Sequence, residues 1–341
     1  CVDDFDTYAY KFSKNLSNTI SLVFDKKTFK LDAGFRHQLI NLGTDRVLPA
    51  AVGVVIPTEN KENRLGAVGN LEIKLWDKVD VKSFLEYSNG KSFGNYLRSE
   101  NLLKLEPIKG YILDARVNFQ SAIPSFNYLI NPSFYQNFNY NFSNAQNQSI
   151  TEIGGKINLK WFESSVFANY FRIDNFAYFG TDFLPKQSSE TVNISQIGGE
   201  ATLNYWKLKF NTKLLFQSAL SQKELLPMPN FVGRLNVFYQ SKAFKNAAEI
   251  QTGFKVYYFS KFKSRDYFPV LNEFVLSNSG TSIGGQPIAD AYFTMKVKRM
   301  MIFAEAQHFN TTFMKNKSFT APNYPIYDFR LNLGIVWYIF H

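Results

Sequence analysis

An all-β chain folded as a transmembrane, antiparallel, up-and-down β-barrel is predicted by three observations. Connections between strands alternate short and long as far as the C-terminus. Within strands, apolar and polar residues alternate. The composition is rich in aromatic residues, 17% Phe, Trp and Tyr, at a mean hydropathy of only −0.21. The first alternation separates short periplasmic turns from long outer loops. The second turns apolar side chains toward lipid and polar ones toward a lumen, so that the two cancel in the average. The longest apolar run, Leu333–Phe340, falls well short of the ~18 residues that a membrane-crossing helix needs, so strands must carry the span.

Period-2 segments occur near residues 5–14, 18–24, 28–40, 66–76, 79–88, 98–107, 110–122, 150–161, 163–177, 191–205, 207–219, 231–241, 247–259, 288–298, 300–310 and 327–340. That gives about sixteen strands, or about fourteen without the two weakest, which are the first two. Segment 150–161 sets Ile153, Gly155, Ile157, Leu159 and Trp161 against Glu152, Lys156, Asn158 and Lys160. Segment 207–219 sets Leu208, Phe210, Leu214 and Phe216 against Lys207, Lys209, Asn211, Lys213 and Gln217. Segment 247–259 sets Ala248, Ile250, Phe254, Val256 and Tyr258 against Glu249, Gln251 and Lys255. The last segment is the clearest, with Phe329, Leu331, Leu333, Ile335, Trp337 and Ile339 on one face.

Short turns fall at Asp25–Lys27, Trp76–Lys78, Pro107–Gly110, Phe162–Glu163, Trp206–Lys207, Lys242–Asn246 and Lys298–Arg299. The stretches between them are long: Asn41–Leu65, Ser88–Leu97, Ser121–Ser149, Tyr178–Glu190, Leu220–Asn230, Ser260–Pro287 and Thr311–Ile326. Only a connection near Asn15–Ser17 is short on the outer side. An even strand count places both termini on the periplasmic side. The Asn-, Phe- and Tyr-rich loop 121–149 is expected to decorate the surface, with an inward fold that narrows the pore as the alternative.

Closure follows from energetics. In hydrocarbon each unpaired backbone N–H or C=O costs several kcal/mol, so an open sheet edge is not tolerated. Trp76, Trp161, Trp206 and Trp337 all fall at or near periplasmic strand ends, where an aromatic girdle keeps the ring in apolar surroundings and the N–H in water. The alternation of Leu333, Ile335, Trp337 and Ile339 up to the chain end has the form of an outer-membrane insertion signal, although His341 stands where an aromatic residue is usual.

The net charge is +10. Basic residues are spread over nearly every strand with acids beside them, which fits a charged lumen and anionic lipid better than a nucleic-acid face. Candidate lumen-lining residues are Lys156, Lys160, Lys207, Lys209, Lys213, Arg234, Glu200, Glu249, Lys255, Lys296 and Arg330. As a set they can brace a wet wall by cross-strand pairing or bias its ion selectivity.

Nothing in the sequence assembles a catalytic or metal centre. Of the three histidines, His37 and His308 share the lipid-facing parity near the outer rim and His341 is terminal, so no nucleophile–base pair forms in the lumen. No HExxH or Walker motif occurs. No enzyme activity and no cofactor are expected. Cys1 is the one cysteine, which excludes a disulfide framework. Cys1-Val2-Asp3-Asp4 has the form of a mature lipoprotein start, with an N-terminal chain break as the other reading.

The segments Lys30–Gln38, Asp266–Phe274, Ala289–Phe293 and Ala321–Pro325 leading into Phe329–Trp337 resemble the "putative porin" family of Bacteroidota outer-membrane proteins. The resemblance covers most of the chain after about residue 20 and implies an outer-membrane β-barrel with pore activity. Members are often longer, so residues 1–341 are read as a single barrel domain that lacks an N-terminal part of the full protein. The expected role is a porin-like transport channel in the bacterial outer membrane, passing small polar solutes by passive diffusion with a weak preference for anions. The alternative is a structural or accessory barrel in a larger outer-membrane, secretion or transport assembly, with no open pore. Expected partners are outer-membrane lipid, small polar solutes, and other outer-membrane proteins or lipoproteins, with no nucleic acid.

Overall fold

Alternating side chains can only be sorted onto two faces if neighbouring strands keep register, and they do so along the whole chain. The computed structural model describes residues 10–44, 56–133 and 135–339. Fifteen strands form one antiparallel sheet in chain order: β1 (Lys11–Lys26), β2 (Phe29–Thr44), β3 (Glu59–Leu75), β4 (Val79–Ser88), β5 (Tyr96–Ile108), β6 (Tyr111–Ala122), β7 (Gln148–Leu159), β8 (Ser164–Asp174), β9 (Val192–Tyr205), β10 (Leu208–Ala219), β11 (Phe231–Ala243), β12 (Ala248–Phe259), β13 (Ile288–Val297), β14 (Met300–Gln307) and β15 (Arg330–Trp337). No helix among the described residues is long and apolar enough to cross a membrane.

The connections obey the predicted alternation. Those at 27–28, 76–78, 109–110, 160–163, 206–207, 244–247 and 298–299 are short, and those at 45–58, 89–95, 123–147, 175–191, 220–230, 260–287 and 308–329 are long. The short turns force bulky residues into the left-handed region, with φ of 51° at Trp76, 55° at Phe162 and 56° at Trp206. That is a conformation non-glycine side chains tolerate at a cost of ~1 kcal/mol, because tight hairpins need positive φ.

Two departures concern β1. The sequence predicts separate strands at 5–14 and 18–24, but one strand runs from Lys11 to Lys26, with Asn15 opposite Ile40 and Ser17 opposite Gln38 in unbroken register. The polar residues Asn15 and Ser17 look like a turn because their face is wet, not because the chain reverses there. The one short outer connection thereby disappears. The described sheet has fifteen strands where about sixteen were expected, and β1 begins at the long-loop end, not at the short-turn end that an even count requires. It therefore runs in the same direction as β15. Among the described residues β1 pairs with β2 and β15 with β14. Residues 5–9 of the first expected strand, Cys1, Phe340 and His341 lie outside the described residues.

Register sorts the faces. Opposed sets such as Phe35 with Ile20, Leu203 with Phe210, and Leu333 with Ala304 share one face. This face is exposed and apolar: Leu22 is 84% accessible and Phe35 81%. The buried core lies elsewhere, mainly among the long loops and the strand ends that carry them. Leu42, Ile56, Phe93, Leu129 and Ile130 form one cluster, and Tyr140, Phe179, Leu271 and Val275 another. Loops 175–191 and 260–287 also share a small four-stranded sheet, in which Phe179 pairs with Val275.

Candidate functional site

The face opposite the apolar one carries a hydrogen-bonded ladder of charged and amide side chains. Period-2 geometry places them together: Glu200 stands opposite both Ser165 and Lys213, and Lys213 opposite Arg234. Glu200 lies 3.5 Å from Lys156 and 4.0 Å from Lys213, and accepts from Ser165 Oγ at 3.3 Å. Arg116 donates to Glu152 at 2.7 Å and to Asn169 at 2.8 Å. Gln196 continues the ladder to Gln217 at 3.0 Å. Arg234 donates to Asn211 at 2.8 Å, and Lys255 pairs with Glu305 at 3.6 Å while lying 4.7 Å from the Tyr292 ring. Arg36 pairs with Glu86 on the same face.

Of the eleven candidate wall residues, Lys156, Glu200, Lys213, Arg234 and Lys255 belong to this ladder. Lys209 lies on the same face, 6.0 Å from the Phe238 ring. Glu249 accepts from Gln240 at 2.5 Å and stands opposite Lys296. Arg330 sits 4.1 Å over the Tyr327 ring. Two are placed differently. Lys207 is in the turn, 5.1 Å from the Trp206 ring and 5.8 Å from that of Tyr239, and Lys160 is in the 160–163 turn with its stem against Gly110. Both belong to the short-turn rim, because strand parity lapses once the chain turns. Trp76, Trp161, Trp206 and Trp337 are all exposed at that rim, and Leu333, Ile335, Trp337 and Ile339 are all exposed, the first three on the apolar face of β15.

The long loops build what sequence reasoning missed. Loop 123–147 is not surface decoration. Its Asn127 accepts from Lys11 Nζ of β1 at 2.9 Å and donates to Glu273 at 2.8 Å. Tyr128 stacks on Phe179 at 4.5 Å, and Phe138 meets Phe183 at 5.6 Å and Phe268 at 4.9 Å. Leu129 and Ile130 pack on Ile56 and Phe93. Arg265 donates to the carbonyl of Leu225, and Tyr267 meets Tyr324 at 5.4 Å. Every long loop is thus joined to this cluster. Loop 89–95 is also anchored on Glu62 of β3, which accepts backbone N–H bonds from Lys91, Ser92 and Phe93 at 3.0, 2.8 and 2.8 Å. Burial is the main cause that raises the Tyr140 phenol well above its ordinary range, and Glu273 adds to it. The Tyr140 hydroxyl donates to the Asn127 carbonyl. The Asn-, Phe- and Tyr-rich run 137–142 was the available signal, since a solvated loop does not need such rings.

His37 is on the apolar face, 2.8 Å from Asn63 Oδ1. His308 departs from its expected lipid-facing place. It is buried at a φ of 52°, its ring Nδ1 2.6 Å from the Tyr327 carbonyl, because β14 ends at Gln307 and the chain turns into a 3-10 helix. Among the described residues no cluster of His, Cys, Asp and Glu could hold a metal ion.

A ladder of polar side chains on one face and mainly apolar side chains on the other is the pattern of a sheet between lipid and water. The sequence matches the "Putative porin" family over residues 3–341. The chain belongs to this family. Among solved structures it is similar to the ferric enterobactin receptor of Pseudomonas aeruginosa, at a TM-score of 0.70 and 13% identity, covering 96% of this chain and 54% of that one. It is also similar to a siderophore receptor of Acinetobacter baumannii, at a TM-score of 0.67, 9% identity, and coverage of 96% and 55%. A copper transporter aligns at 0.61 and 11%, covering 88% and 51%. The chain spans about half the length of these structures. No curated protein matches the sequence. Family and fold together place this porin-family chain in the bacterial outer membrane.

Proposed function

We propose that the sheet closes into a barrel and that its polar face lines a path for passive diffusion of small polar solutes, with a weak preference for anions. The observation that carries this reading is the set of paired polar side chains from Arg36 and Glu86 to Lys255 and Glu305, set against a mainly apolar opposite face. A dry, packed lumen would not need such a wall. Because β1 and β15 run the same way, closure either pairs them in parallel or takes in one further strand of opposite direction. The exposed tryptophans then form the periplasmic girdle, and the apolar face of β15 with Ile339 serves as the insertion signal. Weak selectivity follows from pairing: Glu200 sits between Lys156 and Lys213 and offsets much of their field. The ligands of the siderophore and copper proteins are not carried over, since likeness at 9–13% identity supports the fold alone.

The loop cluster favours a second reading, an accessory barrel with a covered mouth, because loop 123–147 bonds to both β1 and loop 260–287. Single-channel recording in a planar bilayer separates the two. The porin reading expects conductance from the native protein, with a reversal potential under a salt gradient that favours anions weakly. Lys209→Glu with Lys213→Glu should shift it toward cations, less so at 1 M than at 0.1 M salt, where the Debye length falls from ~10 Å to ~3 Å. Silence from folded native protein, with conductance after deletion of 126–141, would favour the covered barrel. Silence from both would overturn the pore.

A further inference from the structure

A cavity of about 680 Å³ opens between loops 220–230 and 260–280, away from the polar ladder. Its volume is within the usual ~300–1,000 Å³ of small-molecule sites. It is built on a packed base, because Leu226 and Met228 in one wall rest on the buried trio Ile173, Val192 and Ile194. Three cations line it: Lys223, Lys263 and Arg265, against one acid, Glu224. The two lysines are exposed and form no ion pair among the described residues.

Arg265 differs from them. It is partly buried, one terminal nitrogen donates to the Leu225 carbonyl, and its guanidinium lies 5.6 Å from the Phe176 ring. Its Nε is buried without a hydrogen-bond partner among the described residues. A guanidinium removed from water with an unused N–H is costly unless an anion completes it, and its planar fork suits carboxylate or phosphate. Hydroxyls line the cavity as well. Ser277 and Ser279 are 2.9 Å apart, and Ser279 is 2.8 Å from Thr281, a chain whose rotors can turn to donate or accept. Asn278 is held by the Thr181 carbonyl at 3.3 Å. Cations, hydroxyls and apolar side chains gathered in one cavity match a ligand with one acidic group and several hydroxyls.

We propose that this cavity binds a small, free, polyhydroxylated anion, a sugar bearing a carboxylate or a phosphate. Arg265, Lys223 and Lys263 hold the acid, and Ser277 and Ser279 meet the hydroxyls. The site does not depend on an open pore. Its failure would leave the conductance experiment untouched, and a silent pore would leave binding intact.

The test is calorimetric titration of the purified protein in detergent at low salt with glucuronate, glucose 6-phosphate and neutral glucose. At least one acid sugar is expected to bind tenfold or more tighter than glucose. Lys223→Gln with Lys263→Gln, both exposed, should weaken it at least tenfold without disturbing the fold. Arg265→Lys, which keeps the charge and loses the fork, should also weaken it. Equal binding of glucose and glucuronate, or an unchanged affinity in the lysine double variant, would overturn the proposal. So would absence of binding by either acid sugar at millimolar concentration. If a phosphate-bearing lipid co-purified instead, was lost in the double variant, and no free sugar bound, the anion site would belong to a lipid headgroup and the free-solute assignment would fall.

Discussion

Leu333→Arg isolates the face assignment on which the membrane reading rests. Leu333 is 71% exposed on the apolar face of β15, and Asn332, its neighbour, is on the polar face opposite Glu305. Trp337 marks the short-turn rim. Leu333 is four residues above it, ~14 Å along the strand at ~3.4 Å per residue. With a strand tilt of about 40°, that is ~10 Å along the membrane normal, within about 3 Å of the midplane of a ~25 Å apolar band. Arginine there should cost ~2–4 kcal/mol, a loss of about 30- to 700-fold in the folding equilibrium at a decade per ~1.4 kcal/mol. Ile335→Arg, two residues above the rim, should cost roughly half as much, since the penalty falls toward the interface. Asn332→Arg should cost close to nothing, because its guanidinium meets water and Glu305. Urea titrations of folding into lipid vesicles measure all three. Equal costs at 332 and 333, or a larger cost at 335 than at 333, would refute the assignment of faces and depth.

Three further outcomes follow from the same structure. Phe179 has 0% exposure within the loop cluster, so Phe179→Ala should cost that cluster ~3–5 kcal/mol and open loops 123–147 and 260–287 to limited proteolysis, leaving strand cleavage unchanged; unchanged loop cleavage would mean the loops do not pack cooperatively. Burial and Glu273 keep the Tyr140 phenol protonated above the ordinary tyrosine range, so the folded cluster binds a proton that the opened one loses; its stability is complete below pH ~10 and declines as pH rises beyond that, and Tyr140→Phe should lessen the decline, with Tyr128, also raised by burial, keeping a remainder, as read by alkaline loop opening. Trp337→Asp with Ile339→Asp places charge at the end of the apolar face that β15 presents, and the protein should fail to reach the outer membrane; normal yield in membrane fractions would deny the insertion role.

What could be read from the sequence divides along a physical line. A strand at the boundary of lipid and water is under a strict local rule: each residue faces one solvent or the other. Parity alone therefore assigned Lys156, Glu200, Lys213, Arg234 and Lys255 to one face and Leu333, Ile335 and Trp337 to the other. The rule lapses where the chain turns, which is why Lys207 is stacked on Trp206 instead of lining the wall, and why His308 is buried. It also misleads where a wet face mimics a turn, as at Asn15 and Ser17. Loops carry no period at all. The contacts that matter there, Asn127 with Glu273 and Phe138 with Phe268, join residues 146 and 130 positions apart, and no local pattern encodes them. Composition gave only a hint, in the aromatic run 137–142. The family segment Asp266–Phe274 had a structural meaning hidden in its sequence: Asp266–Phe268 and Glu273–Val275 pair as two strands of the small sheet that joins the loops.

The two halves of the molecule also differ in what stabilises them, and this bears on how transport would be controlled. The strands bury little of their own: their apolar face needs lipid and their polar face needs water, and backbone pairing holds them together. The loops do the reverse. Phe179 and Val275 are almost fully buried, and the hydrogen bonds Lys11–Asn127–Glu273 tie the first strand to the loop that follows β12. That bridge spans nearly the whole sheet, so it can close only if the strands curl until their long-loop ends converge. A flat or shallow sheet would leave Lys11 and Glu273 many strand spacings apart, at ~4.8 Å each. The curl of the sheet and the loop cluster at its long-loop end are therefore one arrangement. If the proposed pore is open, a wall of paired charges screens itself along its length, and the loops would decide which molecules reach it. Under that proposal, selectivity by size and shape belongs to the loops, with only a slight bias by charge along the wall.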